Sequence, residues 1–309
     1  MTKKILIADD LHPFFKEEAG RMGFEVTDQP SVTKQQLLEI LPDFDVLAVR
    51  TRFRVDREVM DAGSRLKCIA RAGAGMDNID EAYAREKGIT CINAPEGNRD
   101  AVAEHALGLL LSLMNNFRKA DAEVRSGTWD REGNRGWELK GKTVGIIGYG
   151  NTGRAFARKL SGMEVNILAY DKYQTGYSDG LVTETVMEEI VRKADVLSLH
   201  IPLTRETRGL VDDEYLFHFR KPVFLINTSR GEVVQTRAVL NALREGRILG
   251  AGLDVLEVEK FPALAEQTWY EELAAHPRVM LTPHVAGWTF DSYRRISEVL
   301  AEKLKNLQL

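Results

Sequence analysis

The sequence predicts an α/β fold made of two doubly wound parallel-sheet domains. Two observations carry that reading. Short apolar runs alternate with helical patterns from one end of the chain to the other, and such a β-α-β rhythm makes a parallel sheet with helices on both faces. The rhythm breaks once, at a long apolar helical pattern and a polar loop, and then restarts. The length, 309 residues, suits one large or two ordinary domains.

The elements follow in order. Residues 5–8, 46–49, 68–70 and 90–93 read as buried strands. Between them, residues 14–22, 34–41, 58–62 and 80–86 space their apolar side chains as helices do. Residues 101–126 read as one long helix, with Ala103, Ala106, Leu107, Leu110, Leu111 and Met114 at helical spacing. Its first half is apolar nearly all round, the pattern of a helix buried between domains or at a subunit interface. A polar loop, 127–138, carries Trp129, Arg131, Arg135 and Trp137. Strands resume at 143–147, 165–170, 196–199, 223–227, 249–254 and 279–281, and 291–307 reads as an amphipathic helix. The break between the two α/β units is expected in a loop ahead of Ala101, near Pro95-Glu96-Gly97.

Composition narrows the function. Hydrophobic residues make up 44% and charged residues 28%, with a formal net charge of −4. No basic block is present, which argues against nucleic acid or an anionic membrane as the main partner. No apolar run approaches the roughly 20 residues that span a bilayer. Behind Met1-Thr2-Lys3-Lys4 lie only Ile5-Leu6-Ile7-Ala8, too short for a signal segment, so a cytoplasmic location is expected. Cys68 and Cys91 sit in apolar strand-like stretches and are expected as reduced core thiols; no metal is expected.

The clearest motif is Gly148-Tyr149-Gly150-Asn151-Thr152-Gly153. Glycine-rich turns are common, but this one follows the buried strand Val144-Gly145-Ile146-Ile147 and opens a helix, and a second strand ends at Asp171. In a dinucleotide turn the first glycine permits the bend. The second lets backbone approach a pyrophosphate, and the third lets helix pack on strand. The helix N-terminus offers N–H groups to the phosphates. Asp171, eighteen residues past Gly153, would accept both ribose hydroxyls and repel a 2′-phosphate, favouring NAD over NADP; Lys172 beside it would soften that exclusion.

Three further segments each leave a strand. Arg230, in Asn227-Thr228-Ser229-Arg230-Gly231, would sit at the carboxyl edge of the sheet, where a guanidinium fork suits a carboxylate; in isolation it reads equally as a loop cap. The segment Asp254-Val255-Leu256-Glu257-Val258-Glu259 offers acids that could pair with a histidine, or a solvated acidic loop. His284, in Thr282-Pro283-His284-Val285-Ala286-Gly287, would be a proton shuttle if a carboxylate lay beside it; a lone histidine is more often structural.

Taken together, and in this order, these segments resemble the D-isomer-specific 2-hydroxyacid dehydrogenase family over nearly the whole chain. The resemblance also runs through Arg71-Ala72-Gly73-Ala74-Gly75-Met76-Asp77-Asn78-Ile79-Asp80, Asn93-Ala94-Pro95-Glu96-Gly97-Asn98 and His200-Ile201-Pro202-Leu203-Thr204. It implies an NAD-dependent oxidoreductase acting on the 2-hydroxyl of a D-2-hydroxy acid. It implies a Rossmann cofactor domain, residues 99–286, inserted in a flavodoxin-like substrate domain, residues 1–98 and 287–309. A cleft between them would close over the reactants. The family pattern places its catalytic arginine on Arg230, its acid on Glu259 and not Glu257, and its acid/base on His284. Asp254 matches the residue near the nicotinamide carboxamide, and the backbone of Ala74 and Gly75 matches the substrate-carboxylate loop. Gly148, Gly150, Asn151, Thr152, Gly153 and Asp171 match the cofactor site. Two departures stand out: Lys260 follows Glu259 where the family often has proline, with Pro262 two residues on, and Asn151-Thr152 replaces the usual Arg-Ile.

Within the family, the N-terminal half is most similar to the branch that oxidises D-3-phosphoglycerate to 3-phosphohydroxypyruvate in serine synthesis. That resemblance implies a phosphate pocket of Arg50, Arg71 and Arg131, the last reaching across a homodimer formed through the long helix and cofactor domain. The regulatory domain that many of that branch carry at the C-terminus has no counterpart here, so feedback through it is not expected. Glyoxylate, hydroxypyruvate and D-lactate remain alternative substrates. Formate-acting relatives fit less well, because they carry glutamine where Glu259 sits. An NAD-sensing corepressor-like scaffold is the alternative of another class, and it would bind NADH while turning over 2-oxo acids negligibly.

Overall fold

A computed structural model describes residues 2–307; Met1, Gln308 and Leu309, at the ends of the first expected domain, lie outside the described residues. The chain divides into two compact units, Met1–Arg99 with Trp288–Leu309, and Asp100–Gly287. Both are doubly wound parallel sheets, as the sequence predicts.

The first unit holds β1 (Lys4–Ile7), α1 (Pro13–Arg21), β2 (Glu25–Asp28), α2 (Lys34–Ile40), β3 (Val46–Val49), α3 (Arg57–Ala62), β4 (Cys68–Arg71), α4 (Glu81–Glu86) and β5 (Thr90–Asn93). The strands run in the order β2-β1-β3-β4-β5, all parallel. This is the flavodoxin-like order. Alternation along β1 explains its apolar run. Leu6 and Ala8 join Leu37, Val59 and Met60 in a core on one face, while Ile5 and Ile7 join Phe15 and Leu300 in a core on the other. A strand buried on both faces has no polar side to show.

Next come α5 (Pro95–Met114) and α6 (Phe117–Arg125). The second unit continues with β6 (Thr143–Ile147), α7 (Asn151–Lys159), β7 (Asn166–Tyr170), β8 (Val182–Glu184), α8 (Met187–Lys193) and β9 (Val196–Leu199). Then follow α9 (Asp213–Phe217), β10 (Val223–Asn227), α10 (Thr236–Arg244), β11 (Ile248–Leu253), α11 (Tyr270–Ala275) and β12 (Val279–Leu281). Its seven strands run β12-β11-β10-β9-β6-β7-β8, the Rossmann order with one strand added. Leu110 and Met114 of α5 and Phe156 of α7 cover one face, against Val144 and Ile146. Ile190, Leu216, Val239 and Leu273, from α8 to α11, cover the other. The last helix, α12 (Phe290–Lys305), returns to the first unit and buries Ile296, Leu300 and Leu304 there. No helix among the described residues is long and apolar enough to cross a membrane.

Two expectations are corrected. Residues 101–126 are not one helix: α5 ends at Met114, and Asn116 takes a left-handed conformation with φ 53° before α6 begins. Asparagine tolerates that region better than most residues, and the Met114 carbonyl left over at the helix end accepts the Trp137 N–H at 2.8 Å. Pro95-Glu96-Gly97 is not a loop either. Pro95 opens α5, where its missing N–H costs nothing, and the division between units falls inside that helix, between Arg99 and Asp100.

Gly97 shows how tightly the first unit is packed. A Cβ on it would lie 2.6 Å from Cα and 2.7 Å from N of Ile296, in the backbone of α12. No flexible side chain is there to yield. Gly97→Ala is therefore expected to destabilise the protein by about 1–3 kcal/mol, read as a lower urea midpoint; an unchanged midpoint would show that the two helices can part freely.

Candidate active site

Three neighbouring parallel strands deliver the three candidate catalytic residues to one edge. Pairing places Asn227 of β10 beside Leu253 of β11, and Leu253 beside Leu281 of β12. The loops that leave these carboxyl ends carry Arg230, Asp254 to Glu259, and His284.

The β10 loop is built on Asn227, which is fully buried. Its Oδ1 accepts the Ser229 N–H at 3.0 Å and the Ser229 hydroxyl at 2.8 Å, and its Nδ2 donates to the Arg230 carbonyl at 3.0 Å. Arg230 Nη1 donates to the Ser229 carbonyl at 2.7 Å. Gly231 lets this loop meet the next one: a Cβ there would lie 1.8 Å from the Leu256 carbonyl oxygen.

The structure separates the two glutamates that the sequence left open. Glu257 accepts the Thr236 N–H at 2.7 Å and so caps α10, whose own N-cap residue gives no side-chain bond. Glu259 Oε2 lies 2.9 Å from His284 Nδ1. The carboxylate can only accept, so Nδ1 carries the hydrogen and Nε2 is left as the proton-exchanging nitrogen. The bond to Glu259 raises the His284 pKa above its ordinary value. Burial opposes this, Asp254 adds to it, and the nearby Arg230 charge opposes it.

His284 is itself held in a left-handed conformation, φ 54°, which costs a non-glycine residue about 1–2 kcal/mol. Asp254 maintains it. The Asp254 carbonyl accepts the His284 N–H at 2.8 Å, while the carboxylate, 1% exposed, accepts the N–H groups of Val285 and Ala286, each at 2.9 Å. Thr282 adds its hydroxyl at 2.5 Å, and His105 of α5 lies 3.0 Å from that hydroxyl. His105 and Thr282 are not picked out by sequence spacing: His105 is lost among the apolar residues of α5.

The glycine turn joins β6 to α7. Gly148 has φ 90°, and a Cβ on it would lie 2.4 Å from the His200 carbonyl oxygen. A Cβ on Gly153 would lie 2.0 Å from the Gly148 carbonyl oxygen, whereas one on Gly150 would meet nothing within 4 Å. The turn is thus closed on the protein side and open at Gly150. No side chain caps α7, so the first N–H groups, from Asn151, Thr152 and Gly153, lack helical acceptors. These residues fit the phosphates of a dinucleotide.

Asp171 is more occupied than expected. Its Oδ2 accepts the Tyr149 N–H at 2.8 Å, and its Oδ1 accepts those of Tyr173 and Gln174 at 2.9 and 3.0 Å. A carboxylate has about four acceptor sites, so one remains, on Oδ2. Lys172 is paired with Glu206.

The substrate residues proposed from the sequence fall in both units. In the first, Arg71 ends β4, and Arg50 follows the neighbouring strand β3, one residue past Val49, the partner of Arg71. Arg50 lies over Trp288, 3.3 Å from the ring centroid; burial lowers its pKa, and Asp9 and Asp10 work against that by favouring its charge. Ala74 and Gly75 lie on the loop after β4, which Asn93 Nδ2 braces through the Ala74 carbonyl at 2.6 Å. In the second unit, Arg131 is exposed on the loop after α6. Cys68 is buried and Cys91 half-buried, both as free thiols, and burial pushes the Cys68 thiol up to about 12. Among the described residues no group of His, Cys, Asp and Glu is placed to hold a metal ion.

The chain is similar to known proteins over most of its length. Residues 107–286 match the family model described as D-isomer specific 2-hydroxyacid dehydrogenase, NAD binding domain. The chain is 36% identical over 307 residues to a D-3-phosphoglycerate dehydrogenase of Methanocaldococcus jannaschii, covering 98% of this chain but 57% of that protein. It is 36% identical over 280 residues to a hydroxypyruvate reductase of Thermotoga maritima, covering 91% of this chain and 90% of that one. A D-lactate dehydrogenase from Aquifex aeolicus, solved as a complex with NAD and lactic acid, superposes with a TM-score of 0.82 at 28% identity, over 98% of this chain and 94% of the other.

The His284–Glu259 pair gives a signed expectation. A histidine whose folded pKa is raised contributes stability that is complete below its unfolded pKa and is lost as pH rises through the folded one. Glu259→Gln removes the anion. The His284 ring-proton titration, followed by NMR, is then expected to shift to lower pH; an unmoved midpoint would refute the pairing.

Proposed function

Because this chain belongs to the D-isomer-specific 2-hydroxyacid dehydrogenase family, we propose that it is an NAD-dependent oxidoreductase acting on C2 of a D-2-hydroxy acid. The observation that carries the reading is His284 Nδ1 at 2.9 Å from Glu259, with Arg230 near enough to oppose protonation of the ring. NAD, held at the Gly148 to Gly153 turn and at Asp171, would supply the hydride acceptor for C2, and NADH the hydride donor in the reverse direction. In oxidation His284 Nε2 accepts the hydroxyl proton while Glu259 stabilises the resulting imidazolium. In reduction the protonated ring delivers that proton to the former 2-oxo oxygen. Arg230 would hold the carboxylate and polarise the 2-oxo group, stabilising charge as it develops there. Ala74 and Gly75 would offer N–H groups to the same carboxylate.

For the substrate we infer the D-3-phosphoglycerate/3-phosphohydroxypyruvate pair. Arg50 and Arg71, at the carboxyl ends of the neighbouring strands β3 and β4, support it, as does the likeness to the phosphoglycerate dehydrogenase of Methanocaldococcus jannaschii; Arg131 would be the third phosphate ligand. A second reading, an unphosphorylated acid such as hydroxypyruvate, glyoxylate or pyruvate, rests on a specific observation. Arg50 is stacked on Trp288 with Asp9 and Asp10 beside it, and those carboxylates would repel a phosphate. A homodimer belongs to the same proposal, supported by Phe117, Val124, Trp129 and Trp137, which are exposed on α6 and the loop after it. Sedimentation equilibrium should give twice the chain mass; a monomer would remove any role for Arg131 across subunits.

The enzymatic test is NADH consumption with 3-phosphohydroxypyruvate, hydroxypyruvate, glyoxylate and pyruvate in parallel. A preference for the phosphorylated acid is expected, and preference for another would leave the chemistry and discard the arginine pocket. His284→Ala should lower kcat by about a hundredfold or more with NADH affinity unchanged. Negligible turnover of every 2-oxo acid by a wild-type chain that binds NADH would favour a sensing scaffold.

A further inference from the structure

Asp254 is a carboxylate almost removed from water, and one of its partners comes from a distant helix. Thr282 has a single hydroxyl hydrogen and gives it to Asp254 Oδ1 at 2.5 Å. Its oxygen therefore faces His105 as an acceptor, so His105 must present a hydrogen on Nε2, 3.0 Å away. The same nitrogen lies 3.6 Å from Asp254 Oδ1. The chain of donors runs one way: His105 Nε2–H to Thr282 Oγ1, and Thr282 Oγ1–H to Asp254. From Asp254 the fixed geometry passes to the backbone of Val285 and Ala286 and, through its carbonyl, to His284 N–H.

We propose that His105 and Thr282 are positioning residues for the proton-exchanging His284. They act through Asp254 and keep the imidazole in its left-handed backbone conformation within reach of Glu259. This rests on the proposed role of His284. A threonine hydroxyl can rotate among staggered positions; His105 leaves one in which the oxygen accepts from the ring and the hydrogen points at the carboxylate. The link does not depend on the charge of His105, because Nε2 carries a hydrogen both in this neutral form and in the protonated ring. The charged groups that act on His284 are Glu259, Asp254 and Arg230. Losing the hydroxyl leaves all three in place but frees the loop that holds the ring against Glu259.

The test uses the full chain and four variants: Thr282→Val and His105→Leu, which remove the donor at each step, and Thr282→Ser and His105→Gln, which keep it. Three quantities are read: the His284 titration midpoint by NMR, kcat for reduction of the best 2-oxo acid, and the NADH dissociation constant by fluorescence. Thr282→Val and His105→Leu should lower the midpoint toward the ordinary histidine value. They should lower kcat roughly tenfold, while the NADH dissociation constant stays within about twofold. Serine and glutamine should restore most of both losses. The idea fails if the midpoint is unmoved in both donor-free variants, if serine and glutamine do as much damage as valine and leucine, or if NADH affinity falls in step with kcat. Should Thr282→Val fail to fold, His105→Leu, at a partly exposed helix position, decides alone. The midpoint needs no turnover: if it moves as expected in a chain inert toward every 2-oxo acid, the positioning stands and the dehydrogenase reading falls.

Discussion

The buried charge of Asp254 is the constraint on which the rest of the site depends. A carboxylate withdrawn from water is costly unless donors converge on it. Here the donors are two backbone N–H groups of the His284 loop and the Thr282 hydroxyl. Satisfying the charge and shaping the loop are one event, because the groups that solvate Asp254 are the groups that bend the chain at His284. The left-handed strain at His284 is held by this convergence, with no glycine there to relieve it.

Sheet topology makes that convergence possible. β10, β11 and β12 are consecutive neighbours, so two crossovers bring residues up to 54 positions apart, Arg230 to His284, to one edge. The same sheet opens with the glycine turn after β6, where close packing at Gly148 and Gly153 contrasts with the space over Gly150. Asp171 shows the cost of order there. The backbone bonds that fix its carboxylate also occupy three of its about four acceptor sites.

Much of this was legible in the sequence, and the failures have physical causes. Central strands such as residues 143–147 and 196–199 are buried on both faces and announce themselves as apolar runs. β2 and β8 went unread because neither carries an apolar run: in Glu25-Val26-Thr27-Asp28 no residue is fully buried, and in Val182-Thr183-Glu184 only Val182 is apolar. The break at Asn116 escaped because helical spacing continues on both sides of it. Spacing alone could not tell Glu257 from Glu259 either. Both lie on one short loop, and only the folded chain shows one capping a helix and the other reaching an imidazole. His105 left no signal, since a histidine among Ala103, Ala106 and Leu107 reads as one more residue on a helix face.

The return of α12 to the first unit has a consequence for how the protein is made. Ile296, Leu300, Ala301 and Leu304 complete a core whose other members, Ile5, Ile7, Phe15 and Val46, leave the ribosome hundreds of residues earlier. Domains generally fold as they emerge, and the second unit, continuous in sequence, can do so. The first unit cannot. Part of one face of its sheet stays uncovered until α12 is made, so the nascent chain carries an adhesive apolar surface while the whole second unit is synthesised, the kind of surface that chaperones exist to shield.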